Sequence, residues 1–455
     1  MNYERINTAL RGATDTRSVV IGSGVLESVD EVFGENFGDQ PAAVVADTIT
    51  FGVAGKAVQQ QLEVSRRVMD PYVFPSQPTL YAEYGNIELL IGAFRGHDAI
   101  PVAVGSGTLN DIVKRAAYEC NRRYMVVATA PSMDGYAAFG AAITKAGFKQ
   151  TMTCPAPSAV LADLEVVMSA PPKMTASGYG DLLGKVTAGA DWLLADALEV
   201  EKIDWDVWPL VQGPLREATG RPADLRAGDR QAVEGLIEGL VMSGLAMQAA
   251  ASSRPASGAE HQFSHLWEME GVGHGSQAEP PVSHGFKVGL GSIAIAALYE
   301  RLLQRDLGAL DIEAVCRAWP SRAEFEEAVR ATHKTPGLDQ AAVIESSEKY
   351  VDAHGLAQRL TLLRERWPEL RERVAEQLLP ADRLRQMLRA AGCPTSPAEI
   401  GLSRDAFKQT YARAQMIRRR FTVLDLALQA GVLGSCVEEL FAPGGFWSDA
   451  GAETA

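Results

Sequence analysis

The segment VAVGSGTLNDIVKRAAYECN, residues 102–121, decides the fold of the first third of this chain. It starts as an apolar run typical of a buried strand, turns through Gly105-Ser106-Gly107-Thr108 and continues with the apolar spacing of an amphipathic helix. Glycines in such a turn let the backbone approach a phosphate, and the N–H groups of the helix start supply partial positive charge. Asn110 replaces the third glycine of a GxGxxG fingerprint. A tight strand-to-helix turn is therefore as good an interpretation as a diphosphate cradle.

Three further β-branched runs flank this segment and alternate with helical patterns, which indicates a parallel sheet with crossover helices. These runs are SVVIGSG (18–24), AAVVAD (42–47) and YMVVATAPS (124–132). Small or polar residues follow the carboxyl ends of three predicted strands, where open α/β sheets bind ligands. The sequence thus predicts a Rossmann-like α/β domain over residues 1–165.

Helical periodicity replaces the strand signal from about Pro171 onward. The patterns cover 180–200, 229–253, 286–305, 322–331, 357–391 and 404–432. We therefore expect an all-α carboxyl-terminal domain over 166–443 and a flexible tail over 444–455.

Composition narrows the class of protein. A chain of 455 residues predicts two or three domains, and 47% hydrophobic with 22% charged residues is ordinary for a globular protein. The formal charge of -14 argues against a general nucleic-acid or anionic-membrane binder. Five scattered cysteines without a CxxC indicate a reducing compartment. The longest apolar stretch, 236–252, is interrupted by Glu238 and predicts a buried helix, so we expect a cytoplasmic protein without a membrane span.

Histidines are concentrated in one region, because four of the seven fall between residues 261 and 284. His261 and His265 are four residues apart, so on a helix both rings project from one face, and imidazole is a common metal ligand. His284 opens a long apolar helix and can bring a third ring, whereas His274 lies in a glycine-rich loop and is left out of the site. A buried or exposed histidine pair without metal is the alternative.

Asp181 lies in the small-residue segment SGYGDLLGK, residues 177–185, and a helix cap is the alternative to a ligand there. Five motifs taken together resemble the sn-glycerol-1-phosphate dehydrogenase family, within the superfamily of iron-containing alcohol dehydrogenases, glycerol dehydrogenases and dehydroquinate synthases. They are GSGTLND (105–111), TAPSMDGY (129–136), SGYGDLLGK, SGAEHQFSH (257–265) and HGFKVG (284–289). The run RRRFTVLDLA (418–427) resembles the bacterial branch.

The resemblance implies a dehydroquinate synthase-like fold, with a Rossmann-like α/β domain followed by an all-α domain, and NAD(H) or NADP(H) as cofactor. It implies that Asp47 lies near the adenosine ribose. The other implied cofactor contacts are Gly105, Ser106, Gly107, Thr108 and Leu109 at the diphosphate, with Thr129 and Ser132 further along. One position departs from the family, which often has serine near the cofactor where this chain has Ala138.

The resemblance further implies one divalent metal held by Asp181, His261 and His284, with His265 close to the substrate and Asp134 in the pocket for the glycerol moiety. One carboxylate and two imidazoles leave coordination positions open, which is typical of a catalytic site. Zinc is the expected metal, with nickel or ferrous iron as alternatives. The implied reaction is reduction of dihydroxyacetone phosphate to glycerol 1-phosphate, with the metal polarising the ketone and His265 or water supplying a proton.

Three other functions compete with this one. Dehydroquinate synthase-like cyclases share the histidine pattern, but they usually carry glutamate at the position of Asp181 and lack the APSMDGY segment, residues 130–136. Glycerol dehydrogenase is nearer in chemistry. A non-catalytic scaffold is the least favoured, because the metal-binding side chains are intact. A small phosphorylated substrate and a homodimer are the expected partners, with no nucleic acid.

Overall fold

The computed structural model describes residues 2–77, 79–145, 148–273, 281–335 and 337–448. Within them, six parallel strands form one sheet in the order β1-β8-β5-β4-β2-β3, and β6 and β7 form a separate antiparallel hairpin. The strands are β1 Ser18–Gly22, β2 Ala42–Asp47, β3 Tyr72–Phe74, β4 Ile100–Gly105, β5 Met125–Ala128, β6 Ala141–Lys145, β7 Phe148–Met152 and β8 Ala159–Asp163.

Both faces of this sheet are buried under helices, which explains why its central strands are almost continuously apolar. Val44 and Val102 pack in a core on one face, and their chain neighbours Val45 and Ala103 pack in a core on the other. The runs predicted as strands are β1, β2, β4 and β5, so the parallel α/β prediction is confirmed. The short edge strand β3, the hairpin and β8 were not predicted from the sequence.

Helices cover both faces of the sheet in the first part of the chain. They are α1 Tyr3–Gly12, α2 Val29–Phe37, α3 Thr48–Thr50, α4 Lys56–Leu62, α5 Tyr84–Phe94, α6 Gly107–Glu119 and α7 Leu164–Met168. A π-helical turn, Phe51–Gly55, joins α3 to α4.

The described residues after β8 are helical, as predicted. The helices are α8 Pro172–Leu183, α9 Lys185–Ala197, α10 Trp208–Thr219, α11 Pro222–Arg226, α12 Arg230–Ala249, α13 Ala259–Met269, α14 His284–Leu303, α15 Ile312–Ala318, α16 Arg322–Thr332, α17 Leu338–Ser347, α18 Ala353–Gln377, α19 Ala381–Ala391, α20 Arg404–Arg413, α21 Val423–Gln429 and α22 Leu433–Phe441.

Three of the predicted helical segments are interrupted. The segment 180–200 divides at Gly184, which separates α8 from α9. The segment 357–391 breaks between Gln377 and Ala381, where Leu378 has extended backbone and Pro380 disfavours helical backbone at the residue before it, although α18 accommodates Pro368 in its interior. The segment 404–432 breaks after α20, where a 3₁₀ turn, Ala414–Ile417, leads into extended backbone at Arg418. The break after α20 brings Arg418 to His265 on α13, a contact that matters for the site.

Small residues allow α8 and α14 to cross closely. A methyl group added at Gly180 would lie 2.4 Å from the carbonyl oxygen of Gly285, and one at Gly178 would lie 1.9 Å from the carbonyl oxygen of Pro131. Any side chain at either position would force the backbones apart. The motif SGYGDLLGK therefore brings α8 against both α14 and the segment after β5.

The two ends of the described chain pack on the helical part. Asn2 donates its backbone N–H to Glu238 on α12, so α1 lies against a helix more than 200 residues away. Trp447 is buried and its indole N–H donates to the Tyr411 hydroxyl at 3.0 Å. The predicted flexible tail therefore cannot begin as early as residue 444. Residues 449–455 lie outside the described residues. His274 also lies outside them.

The sheet ends with β8 at Asp163, and the domain division at residue 165 stays a prediction. In the described part of the chain, no helix is both long enough and apolar enough to cross a membrane.

Candidate metal and dinucleotide site

Asp181, His261 and His284 meet where α8, α13 and the first residue of α14 converge. Each offers one ligand atom, and these three atoms lie within 4.8 Å of one another. His261 Nε2 is 3.5 Å from Asp181 Oδ1, and the ring centres of His261 and His284 are 5.4 Å apart. The structure therefore brings together the three residues predicted as metal ligands.

Carboxylates hold the outer nitrogens of both imidazoles. Glu260 Oε1 lies 2.7 Å from His261 Nδ1, and Glu268 Oε1 lies 2.9 Å from His284 Nδ1. A carboxylate at Nδ1 fixes the ring orientation and keeps the proton there, which leaves the Nε2 lone pair for a metal. Although burial disfavours its charged form, the hydrogen bonds with Asp181 and Glu260 raise the pKa of His261.

The chemistry of this donor set fits a divalent cation. Two neutral imidazoles and one carboxylate suit zinc, nickel or ferrous iron, and three protein ligands leave positions for substrate or water. Burial by itself would raise the pKa of Asp181, but the Lys185 ammonium and the neighbouring histidines hold it well below its usual range. A fully buried, ionised carboxylate is thus available as a ligand.

Lys185 links Asp181 to the predicted substrate residue Asp134. Its Nζ lies 2.8 Å from Asp181 Oδ1 and 2.8 Å from Asp134 Oδ2. Asp134 Oδ2 also accepts from the Ser243 hydroxyl at 2.9 Å, and the Asp134 backbone N–H donates to Asp181 Oδ2 at 3.1 Å. Burial opposes the charge of Lys185, but the two carboxylates raise its pKa above the usual value. Asp134 is consequently locked beside the metal-ligand cluster.

His265 lies on the same face of α13 as His261, as its spacing predicted. Its ring stacks on that of His284, with centres 5.7 Å apart and planes 23° apart. Arg418 Nη2 lies 2.8 Å from His265 Nδ1. Since a guanidinium only donates, Nδ1 must accept and the ring proton of the neutral imidazole sits on Nε2. Burial, aided by Arg418, holds the pKa of His265 well below its usual value.

The glycine turn joins β4 to α6 as predicted, and local packing requires its glycines. A methyl group at Gly105 would lie 2.5 Å from Leu109 Cδ2, and one at Gly107 would lie 2.4 Å from Met133 Cε. Ser106 occupies the N-cap of α6 without a side-chain capping bond, so its hydroxyl does not satisfy the first-turn N–H groups. These contacts explain the turn, and diphosphate binding by Gly105–Leu109 stays a prediction.

Thr129 and Ser132 follow the neighbouring strand β5. The Thr129 N–H donates to the Gly105 carbonyl at 3.1 Å, and the Ser132 carbonyl accepts from the Ser177 hydroxyl at 3.1 Å. The segment after β5 therefore touches the glycine turn on one side and α8 on the other. This path connects the predicted cofactor residues to the metal-ligand cluster.

Asp47 ends β2 and caps α3. Its Oδ1 accepts from the N–H groups of Ile49 and Thr50, each at 2.8 Å. A carboxylate has several lone-pair sites, so capping leaves capacity for a ribose hydroxyl. The ribose contact stays a prediction.

Ala138, where the family often has serine, is buried in a loop that Lys114 anchors. The Lys114 ammonium donates to the carbonyls of Gly135, Ala138 and Gly140 at 3.0, 2.8 and 2.9 Å. The loop that carries Asp134 is therefore fixed by a buried cation from α6.

Sequence reasoning missed four residues of this cluster: Lys185, Glu260, Glu268 and Arg418. Lys185 carried a signal, because it follows Asp181 by four residues and must share its helix face. The two glutamates flank the histidines on α13 and could have been proposed as partners of their outer nitrogens. Arg418 begins the run RRRFTVLDLA, but no local pattern in that run assigns it to the site, because its contact with His265 spans 153 residues.

The chain is similar in sequence to proteins of known families. The family model described as iron-containing alcohol dehydrogenase matches residues 20–171. The glycerol-1-phosphate dehydrogenase [NAD(P)+] of Bacillus licheniformis is 30% identical over 417 residues, which cover 91% of this chain and 89% of that protein. The protein of the same name from Pyrococcus furiosus is 31% identical over 284 residues, covering 62% of this chain and 78% of the relative.

Solved structures share the fold at low identity. A probable glycerol dehydrogenase from Sinorhizobium meliloti superposes with a TM-score of 0.59 at 16% identity, covering 94% of this chain and 98% of its own. Glycerol dehydrogenase from Schizosaccharomyces pombe gives a TM-score of 0.56 at 14% identity, covering 95% and 92%. The predicted dehydroquinate synthase-like fold is thereby confirmed.

Proposed function

Because the chain belongs to the glycerol-1-phosphate dehydrogenase family, we propose that it catalyses the reversible reduction of dihydroxyacetone phosphate to sn-glycerol 1-phosphate with NAD(H) or NADP(H) and a divalent metal. The observation that carries the proposal is that the predicted substrate residue contacts both the candidate metal ligands and the segment of the predicted cofactor residues. Asp134 is linked through Lys185 to the ligand candidate Asp181, and it lies in the same segment that contacts the glycine turn.

In this proposal Asp181, His261 and His284 hold the metal, with zinc as first choice and nickel or ferrous iron as alternatives. A bound divalent ion would polarise the substrate ketone and stabilise negative charge at its oxygen. Glu260 and Glu268 keep the two imidazoles in the metal-binding tautomer.

The cofactor would lie along the carboxyl edge of the sheet, where α/β folds bind dinucleotides. Nicotinamide supplies or accepts hydride. Asp47 would accept from the adenosine ribose, Gly105–Leu109 would hold the diphosphate, and Thr129 with Ser132 would contact the part nearer the nicotinamide. Their order along β2, β4 and β5 supports this placement.

The remaining side chains orient the substrate and handle the proton. Lys185 and Ser243 hold Asp134 Oδ2 in one position, so a substrate hydroxyl can donate to the other oxygen of that carboxylate. His265 presents an Nε2–H on the side opposite Arg418, where it can donate to the substrate oxygen as negative charge develops. Positioning of this kind contributes a large part of the rate in hydride transfer.

The alternatives are weaker on specific observations. The glycerol dehydrogenases share the fold at 14–16% identity, whereas the glycerol-1-phosphate dehydrogenases align over most of this chain at about twice that identity. A dehydroquinate synthase-like cyclase would be expected to carry glutamate where Asp181 stands. A scaffold would have no need for ionised, carboxylate-supported ligands. A homodimer and a cytoplasmic location stay predictions.

The test is an NADH- and NADPH-oxidation assay with dihydroxyacetone phosphate, run beside metal analysis of the purified protein. We expect turnover of dihydroxyacetone phosphate together with about one divalent ion per chain. Turnover of glycerol or dihydroxyacetone in preference to the phosphate esters would favour glycerol dehydrogenase. Absence of both metal and turnover would favour the scaffold.

A further inference from the structure

Three consecutive arginines, residues 418–420, follow the break after α20, and two of them have obvious structural partners. Arg419 forms an ion pair with Glu345 at 2.8 Å, and 62% of its side chain is exposed. Arg420 donates to the Ser257 carbonyl at 2.7 Å and to the Ser253 hydroxyl at 2.8 Å. Surface pairing and loop anchoring therefore account for these two side chains.

Arg418 differs from its neighbours. Among the described residues its hydrogen-bond partner is His265 Nδ1, no carboxylate lies within ion-pair distance of it, and its Nε is buried without a partner. Glu345 is paired with Arg419, and Glu268 is hydrogen-bonded to His284. A guanidinium has five donors, so most of the hydrogen-bonding capacity of Arg418 is unused.

The Arg418 guanidinium contacts the His265 ring, and that ring lies next to the candidate metal ligands His261 and His284. The His265 ring centre is 5.9 Å from that of His261 and 5.7 Å from that of His284, and Arg418 contacts the same ring. In dihydroxyacetone phosphate the phosphorus is four covalent bonds from the ketone oxygen. A substrate whose ketone lies at the ligand cluster can therefore extend past His265 to the guanidinium.

An anionic substrate needs such a group, because the chain carries a formal charge of -14 and binds phosphate only where a local cation offsets this charge. The planar fork of arginine matches two phosphate oxygens, and a desolvated guanidinium binds a dianion more strongly than an exposed one. Lys185 is already shared between two carboxylates and is not available for this role.

We propose that Arg418 binds the phosphate of the substrate and is the residue that distinguishes glycerol 1-phosphate from glycerol. This inference rests on the proposed function and adds the group that selects a phosphate ester. Because Arg418 also contacts His265, it holds that ring while it binds the phosphate.

The test compares Arg418→Gln with wild type on two substrates, dihydroxyacetone phosphate and dihydroxyacetone. Loss of a charge-assisted bond to phosphate should raise KM for dihydroxyacetone phosphate about 10- to 100-fold, and kcat should change less than about threefold. The kcat/KM for dihydroxyacetone should fall at least tenfold less than that for dihydroxyacetone phosphate, because dihydroxyacetone has no phosphate and a glutamine amide can still donate to His265 Nδ1. Competitive inhibition by inorganic phosphate should weaken in parallel, and Arg418→Lys should recover part of the lost affinity.

Arg419→Gln is the matched control, since it removes the adjacent arginine from the surface and should leave both substrates within about twofold. Equal losses of kcat with both substrates in Arg418→Gln would overturn the proposal, because Arg418 would then act only through His265. Unchanged KM for both substrates would overturn it as well. If the proposed function itself is wrong, the result is different: the wild-type protein will not turn over dihydroxyacetone phosphate.

Discussion

Removal of the Lys185 ammonium should strengthen metal binding while it weakens catalysis. Lys185 Nζ contacts Asp181 Oδ1 at 2.8 Å, and this is the oxygen that faces His261 Nε2. A metal between Asp181 and His261 must therefore share that oxygen with a buried ammonium. In Lys185→Met the side chain keeps a similar length, and Asp181 loses the ammonium that contacts it.

The magnitude follows from the charges. A unit charge and a divalent ion about 4 Å apart repel by roughly 8 kcal/mol at an effective dielectric constant of about 20. Without Lys185, however, the facing carboxylates of Asp181 and Asp134 hold a proton that the metal must displace, and this cost offsets much of the gain from removing the repulsion. We therefore expect a net gain in metal binding of about 1.5–3 kcal/mol, or roughly 10- to 100-fold in Kd.

The stability of the metal-free protein should change in the opposite direction. Lys185→Met leaves two carboxylates facing each other, with side-chain exposures of 13% for Asp134 and 0% for Asp181. Breaking a buried ion pair of this kind costs about 3–5 kcal/mol. Added metal should return part of that loss, since it binds only the folded state. The kcat/KM for dihydroxyacetone phosphate should fall by roughly 100-fold, because Asp134 is no longer held in place.

The assays are zinc titration against a competing chelator and urea unfolding with and without that chelator. Lys202→Met is the control, because Lys202 pairs with Asp196 at 3.8 Å on the surface and 67% of its side chain is exposed. Its metal affinity and activity should match those of wild type. If Lys185→Met binds zinc with an affinity equal to or lower than that of wild type, the idea that the ammonium competes with the metal at Asp181 is refuted.

The other predictions concern the ligands, the cofactor and the response to pH. His261→Ala or His284→Ala should lose bound metal and activity together. His265→Ala should keep its metal in elemental analysis but lose about 10²- to 10⁴-fold in kcat. Full metal occupancy in His261→Ala would contradict the ligand assignment. NADH should serve at least as well as NADPH, and Asp47→Ser should shift the ratio of their kcat/KM values roughly tenfold toward NADPH, because the carboxylate repels a 2′-phosphate. A tenfold wild-type preference for NADPH would remove Asp47 from the ribose. Burial lowers the pKa of His333 from 6.5 to about 4, so between these pH values the unfolded chain binds a proton that the folded chain does not. The free energy of unfolding should then fall by up to about 3 kcal/mol as the pH drops through this window, and His333→Leu should give a flatter profile in urea titrations at pH 4 to 7.

The sequence predicted those features that depend on short-range pattern. Continuous apolar runs such as AAVVAD, residues 42–47, predict strands buried on both faces, and four of the strands in the parallel sheet were found in this way. The four-residue spacing of His261 and His265 is enough to assign both rings to one helix face. The metal-ligand set itself came from family motifs, because nothing in the local pattern of Asp181 distinguishes a ligand from a helix cap.

Tertiary structure decided which charges meet. Glycines of α8 and α14 bring the backbones so close that Asp181 and His284, more than 100 residues apart, supply atoms to one cluster. Lys185 shares a helix face with Asp181 by sequence, but its second contact with Asp134 needed the chain after β5 to pack on α8. Arg418 reaches His265 only because the helical segment 404–432 breaks before it. Periodicity reports the faces of single elements, whereas contacts between side chains distant in sequence depend on how those elements pack, and no local pattern encodes that packing.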